Sequence, residues 1–211
     1  MALPEKNHLR QFLIFVFALL IPCFVLWGFI SNVLATPVIG WTNIVMAAWF
    51  PDVVNMVYQQ GSEAVLLTHF DDVNGQLVAA SDPRAGLGFM VNTRILSYSI
   101  PFFTALHFAT EKKYYLANYI WGLLVLYPFF LLGLLSVCLK DLMSLGPIFF
   151  DHPEVLVPNA NVIGILYQLN VLIIPTLVPV LLWIWQNRHA PLLQKLLYPG
   201  GEPSSGKSKT E

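Results

Sequence analysis

Four apolar runs constrain this chain more than any other feature. They are Phe12 to Ile30, Ile95 to Ala109, Leu116 to Leu139 and Val162 to Gln186, none with an Asp, Glu, Lys or Arg inside. A bilayer core is about 30 Å thick and takes roughly 20 apolar residues of helix to cross. Three of the runs meet that length. The second, broken by Pro101, reaches only about 23 Å at about 1.5 Å per residue. It borrows length from Thr93 and Arg94, with the arginine snorkelling outward. Pro175 and Pro179 in the last run mark kinks rather than ends, because neighbouring helices satisfy the freed carbonyls.

Composition agrees. Hydrophobic residues are 56% of the 211 and charged residues 11%, against about 25% charged in a typical soluble domain. Mean hydropathy is +0.65. A nucleic-acid-binding domain, a disordered tail protein and an ordinary cytosolic enzyme are excluded. Val33-Leu34-Ala35 suits a signal-peptide cleavage site, but the apolar stretch before it is longer than the 7–15 residues usual for such a region. It reads as an uncleaved anchor.

Basic residues orient the crossings. With the N-terminus inside and four crossings, the inner pieces are residues 1–11, the Glu111-Lys112-Lys113 loop and the tail. They carry eight basic and four acidic residues. The outer pieces carry Arg84, Arg94 and Lys140 against eight acids. Without the second crossing, Lys112 and Lys113 would fall outside. The expected fold is therefore an all-α polytopic membrane protein of about four transmembrane helices, with a small extracytoplasmic element between the first two. The segments are 1–11 cytoplasmic, 12–35 first crossing, 36–94 outer element, 95–110 second crossing and 116–139 third crossing. An outer loop at 140–161, the fourth crossing at 162–186 and a solvated cytoplasmic tail at 187–211 complete the chain.

The outer element has two expected halves. Thr36-Pro37 reads as an N-cap with proline at the first helical position. Val38, Trp41, Val45 and Trp49 then recur at helical spacing, and Val53, Met56 and Val57 resume it after Phe50-Pro51-Asp52. This predicts a pair of amphipathic helices on the outer leaflet, ended by Gly61. The second half predicts strands at Glu63 to Phe70, Gln76 to Ala80 and Leu87 to Asn92, with the Asn74-Gly75 turn as a hairpin signal. So short a β-element needs something to pack on.

Candidate chemistry is sparse. No H-x-x-x-H, H-E-x-x-H or C-x-x-C occurs, so no metal site is expected, and a group of His69, Asp71, Asp72 and His152 lacks ligand spacing. His8 and His189 flank the membrane on the inner side. A hydrolase would need Cys138 or His107 in a nucleophile–base arrangement, but Cys138 in Ser136-Val137-Cys138-Leu139-Lys140 reads as a packing cysteine, as does Cys23. A transporter would need intramembrane carboxylates, and none is present. Asn118, Gln168, Asn170 and the Ser97-Tyr98-Ser99 cluster read as helix–helix hydrogen bonders. Ile174-Pro175-Thr176-Leu177 matches a short sorting signal but lies mid-membrane, where it reads as chance. No catalytic residue and no cofactor is expected.

The anchor with Pro22-Cys23-Phe24-Val25-Leu26-Trp27, the Gln59-Gln60-Gly61 turn and the 64–67 strand come in a set order. The run from Gly88 through Val91-Asn92-Thr93-Arg94 to Pro101, continuing into Phe102-Phe103-Thr104-Ala105-Leu106, follows them. This order resembles the exosortase H-associated membrane proteins over about residues 12–185. The resemblance implies a multi-pass bacterial inner-membrane companion of an exosortase, a membrane cysteine protease that processes C-terminal sorting tails. The function expected is a non-enzymatic accessory role, with a small membrane hydrolase or a transporter subunit as the alternatives. The expected partners are the lipid bilayer and an exosortase or another membrane protein. The expected contact residues are Trp41, Trp49, Leu66, Leu67, Phe89, Asn92, Arg94 and Tyr98, with an unpaired strand edge that the partner satisfies by strand addition or helix packing, burying the Ala64–Leu67 run.

Overall fold

The computed structural model describes residues 6–74, 76–82, 86–110, 115–151 and 156–188, with side chains from residue 10 onward. Arg84, Gly75, the Glu111-Lys112-Lys113 loop, His152, Glu154 and the chain from His189 on lie outside the described residues, as does the His8 side chain.

The first helix, α1, runs unbroken over Lys6–Trp49, 44 residues with Pro22 and Pro37 inside. At about 1.5 Å per residue it is roughly 66 Å long, about twice a bilayer core. The expected break at Thr36-Pro37 does not occur. Thr36 caps nothing; its Oγ1 lies 3.0 Å from Asn32 O one turn back and 2.7 Å from Gln59 Oε1 across the fold. The second amphipathic helix is also corrected. After Pro51 the chain forms a strand, β1 (Val54–Gln60). Val53, Met56 and Val57 fit a helical spacing, but over so short a run the period is ambiguous. The β-branched Val54 and Val57 with Tyr58 favour the pleated surface.

Gly61, with φ 61°, turns β1 tightly into β2 (Glu63–Thr68) rather than ending a helix. The small hairpin β3 (Phe70–Val73) and β4 (Gln76–Ala79) follows, with Asn74 at φ 57°. Then β5 (Gly88–Asn92) returns to pair with β2. The three-stranded sheet has the order β1-β2-β5, antiparallel throughout.

Two short helices, α2 (Arg94–Ser97) and α3 (Ser99–Phe108), occupy the expected second crossing. Helix α4 (Tyr115–Leu142) is followed by a 3-10 turn at Met143–Leu145 and by α5 (Pro147–Phe150). The last helical stretch is α6 (Ala160–Gln168), a π turn at Leu169–Ile173, and α7 (Ile174–Asn187). Among the described residues three stretches are long and apolar enough to cross a membrane: 10–49, 115–145 and 160–187.

Side-chain contacts give the segments their relative direction. Trp27 Nε1 donates to Ser97 Oγ at 3.3 Å, whereas Leu106 packs with Trp183 and with Val16, which lies earlier in α1 than Trp27. Thus α2–α3 runs back along α1. Phe103 and Tyr119 stack at 6.1 Å, and Leu96 lies against Gly133, so α4 runs forward again. A Cβ on Gly122 would collide with the Phe103 ring, which is why α3 and α4 can approach this closely. Gln186 Nε2 donates to Asn118 O at 2.9 Å, and Phe12 stacks on Trp183 at 5.2 Å. The start of α1, the end of α3, the start of α4 and the end of α7 therefore meet at one end. The sheet, the end of α4 and the start of α6 lie at the other, around a core of Met46, Phe50, Leu66, Leu142 and Phe149.

Candidate partner-binding face

The sheet is seated on the second half of α1 and on α4. Alternation along the strands sends Val57, Ala64, Leu66, Phe89 and Val91 inward, where they pack with Ala35, Val38, Ile39 and Leu134. Polar groups fix the seating. Gln59 Nε2 donates to Asn32 O at 2.9 Å, and Thr93 Oγ1 donates to Ser62 O at 2.8 Å. Arg94, where β5 passes into α2, donates from Nε to Ser31 Oγ at 3.3 Å and from Nη2 to Gly28 O at 3.5 Å. From Arg10 to the Gly28–Ser31 level is about 30 Å of helix, one bilayer core. The sheet begins where that length ends.

The face turned away from the helices is built in rows. Tyr58, Val65 and Met90 are cross-strand partners in one row; Met56, Leu67 and Gly88 form the next. Met90 is 67% exposed, and Met56 and Tyr58 are about two-fifths exposed. The row nearest Arg94 is polar: Gln60, Glu63 and Asn92. The central side chains of this face, Val65 and Leu67, are themselves buried at 3% and 8% exposure, so what it exposes is chiefly Met56, Tyr58 and Met90.

The expected contact residues are scattered by the fold. Asn92 and Arg94 are exposed and adjacent, with Asn92 Oδ1 accepting the Arg94 N–H at 3.0 Å. Phe89 and Tyr98 are half-buried. Trp41 is 61% exposed on α1. Trp49 is held within the chain, its Nε1 donating to Leu156 O at 3.3 Å and its ring stacked on Phe50. Leu66 is fully buried and Leu67 nearly so. Both are buried within the protein itself, Leu66 on the helix side and Leu67 on the outer face, and β2 is the central strand, paired along both edges. Ala64–Leu67 therefore offers no free edge. Sequence reasoning missed Asn43, whose Oδ1 accepts the Val57 N–H at 2.7 Å. Its signal was the polar pair Thr42-Asn43 within apolar surroundings.

The hydrolase candidates are far apart. His107 is fully buried, its Nε2 3.0 Å from Tyr115 O and its ring packed by Phe103 and Tyr119. Cys138 is fully buried in the core beneath the sheet. It lies on the same helix as Tyr119, about 28 Å further along. Asn170, in the π turn, donates from Nδ2 to Leu166 O at 2.8 Å. Among the described residues no group of three or more His, Cys, Asp or Glu is placed to hold a metal ion.

Long apolar helices packed antiparallel, with a sheet seated at one end, define a polytopic membrane protein with one small folded element outside its helical bundle. The sequence model of the family described as exosortase H-associated membrane protein matches residues 6–190, and the chain belongs to that family. No curated protein and no solved structure matches it.

Proposed function

We propose that the chain is a non-enzymatic accessory subunit of an exosortase-type protein-sorting system in the bacterial inner membrane. It crosses four times, with both termini cytoplasmic, and presents the β1-β2-β5 sheet to its partner on the outer side. The observation that carries this reading is the outward apolar row Tyr58–Val65–Met90, held at the bilayer boundary by Arg94 and Gln59. The four-crossing topology is supported by the meeting of Phe12 and Trp183. It is supported also by the excess of basic residues in the segments at that end.

One set of variants tests both parts. Cys23→Ala with Cys138→Ala gives a cysteine-free chain, which is expected to sustain processing of tail-bearing exported proteins. Adding Asp72→Cys is expected to give labelling from outside, and adding Lys207→Cys labelling only after the membrane is opened. Complete loss of processing at normal protein level sinks the non-enzymatic reading. Labelling of both positions from one side sinks the topology.

A further inference from the structure

The sheet has two edges, and the fold treats them differently. In the β2–β5 ladder the Thr68 N–H donates to Leu87 O at 3.0 Å. That bond sets the alternation of an antiparallel pair. Leu87, Phe89 and Val91 turn their backbone groups toward β2, and Gly88, Met90 and Asn92 turn theirs to the other side. By the same alternation β1 turns the Val57 backbone outward, and there Asn43 of α1 closes it. The side chain of Gln59 is tied to Asn32 and Thr36 beside it. The β1 edge is thus sealed by α1. The β5 edge has no such cover: among the described residues, the backbone groups of Gly88, Met90 and Asn92 on that side have no hydrogen-bond partner. All three residues are exposed.

An unsealed strand edge is a template for another strand, and the position of this one selects the strand. Two residues after β5 the chain reaches Arg94 and turns down along α1 as α2–α3. A strand added antiparallel to β5 therefore runs away from the bilayer, as a chain does on leaving a membrane helix. Charge selects further. Residues 31–94 hold five acids, Asp52, Glu63, Asp71, Asp72 and Asp82, against Arg84 and Arg94. An acidic segment is repelled, and so is a second copy of this element with the same net charge.

We infer that the free edge of β5 binds, by strand addition, a non-acidic extended segment of its membrane partner lying just outside one of that partner's membrane helices. This rests on the accessory reading above and identifies the part of the outer element that does the binding. Backbone hydrogen bonds supply the affinity, and Met90 with the Tyr58–Val65 row lies alongside the added strand.

The test uses the full chain co-expressed with an exosortase H and purified in detergent. Met90→Pro removes an N–H that the fold does not use, and proline is tolerated in an edge strand at such a position. Met90→Gln keeps the N–H and removes the apolar side chain. Met90→Pro is expected to lower recovery of the exosortase at least tenfold with the thermal unfolding midpoint unchanged. Met90→Gln is expected to lower recovery severalfold less than Met90→Pro, because it weakens the side-chain contact and keeps the backbone bond. In wild type, amide exchange at Met90 and Asn92 is expected to slow only in the complex, while Phe89 and Val91 are protected with or without it. Equal losses from the two variants, or full recovery with Met90→Pro, overturn strand addition while leaving the accessory reading intact. Unchanged exchange at Met90 and Asn92 in an intact complex does the same. Recovery of a differently tagged second copy of this chain through the edge, in place of the exosortase, overturns the choice of occupant. Failure of the wild type to recover exosortase overturns the accessory reading itself, and this inference with it.

Discussion

The two halves of α1 are equally free of charge, from Gln11 to Pro51, yet they live in different surroundings. In the first half Phe17, Ile21 and Phe29 are 66%, 72% and 81% exposed, and Val16 alone is buried. In the second, Ala35, Val38, Ile39 and Met46 are buried under the sheet. Apolar content does not separate them; polar residues do. Residues 12–30 contain no Ser, Thr, Asn or Gln, whereas the second half carries Ser31, Asn32, Thr36, Thr42 and Asn43. The side chains of three of these five, Ser31, Thr36 and Asn43, hold the sheet or Arg94 directly, and Asn32 does so through its backbone carbonyl. A helix in lipid satisfies its backbone internally and needs no such groups. A helix that must anchor a sheet edge does. Within a uniformly apolar helix, scattered polar residues mark where it begins to serve as a scaffold.

That contrast is sharpest at Leu66. Leu66→Asp puts a carboxylate into a site with no solvent access and no cation. It is expected to cost about 4 kcal/mol or more and to unfold the sheet. Limited proteolysis should then cut between Pro51 and Asn92 while the helices remain inserted; a protease-resistant sheet would mean that the element is not built on this core. A charge in the first half should do the reverse. Ile21→Asp faces lipid, and is expected to cost about 2.5–3.5 kcal/mol of insertion. Glycosylation-reporter insertion assays would register this, and the inserted fraction should keep a protease-resistant sheet. If insertion is unaffected, the first half of α1 is not facing lipid. The smallest effect belongs to the seal itself. Asn43→Ala leaves the Val57 N–H without its acceptor and is expected to cost about 1–2 kcal/mol. The Val57 amide should exchange faster while membrane insertion is unchanged. Unaltered exchange there would show that the β1 edge is protected by something other than Asn43.

Much of this architecture was legible beforehand. The apolar runs located the helices, and the strands expected at 63–70, 76–80 and 87–92 overlap β2, β4 and β5, although residues 71–73, expected as a turn, belong to β3. β1 was not, because Val53, Met56 and Val57 match a helical period as well as they match a strand. The continuation of α1 through Pro37 was not legible either. A Thr-Pro pair looks the same whether a helix starts there or passes through it. Of the expected contact residues, Asn92 and Arg94 are exposed, as their polarity suggested. Leu66 was misplaced, since an apolar run does not tell a central strand from one awaiting a partner.

The sequence by itself determined that this chain is a membrane protein with one small element outside its apolar segments. A helix that crosses hydrocarbon must be long and largely uncharged, and that demand is written residue by residue. The tertiary structure alone decided which strand is central and which edge is open. Strand order depends on which segments α1 and α4 bring side by side, and those contacts join residues far apart in the chain. So Leu66, apolar among apolar neighbours, became core, and the backbone of Gly88, Met90 and Asn92 was left facing outward at the edge of the sheet.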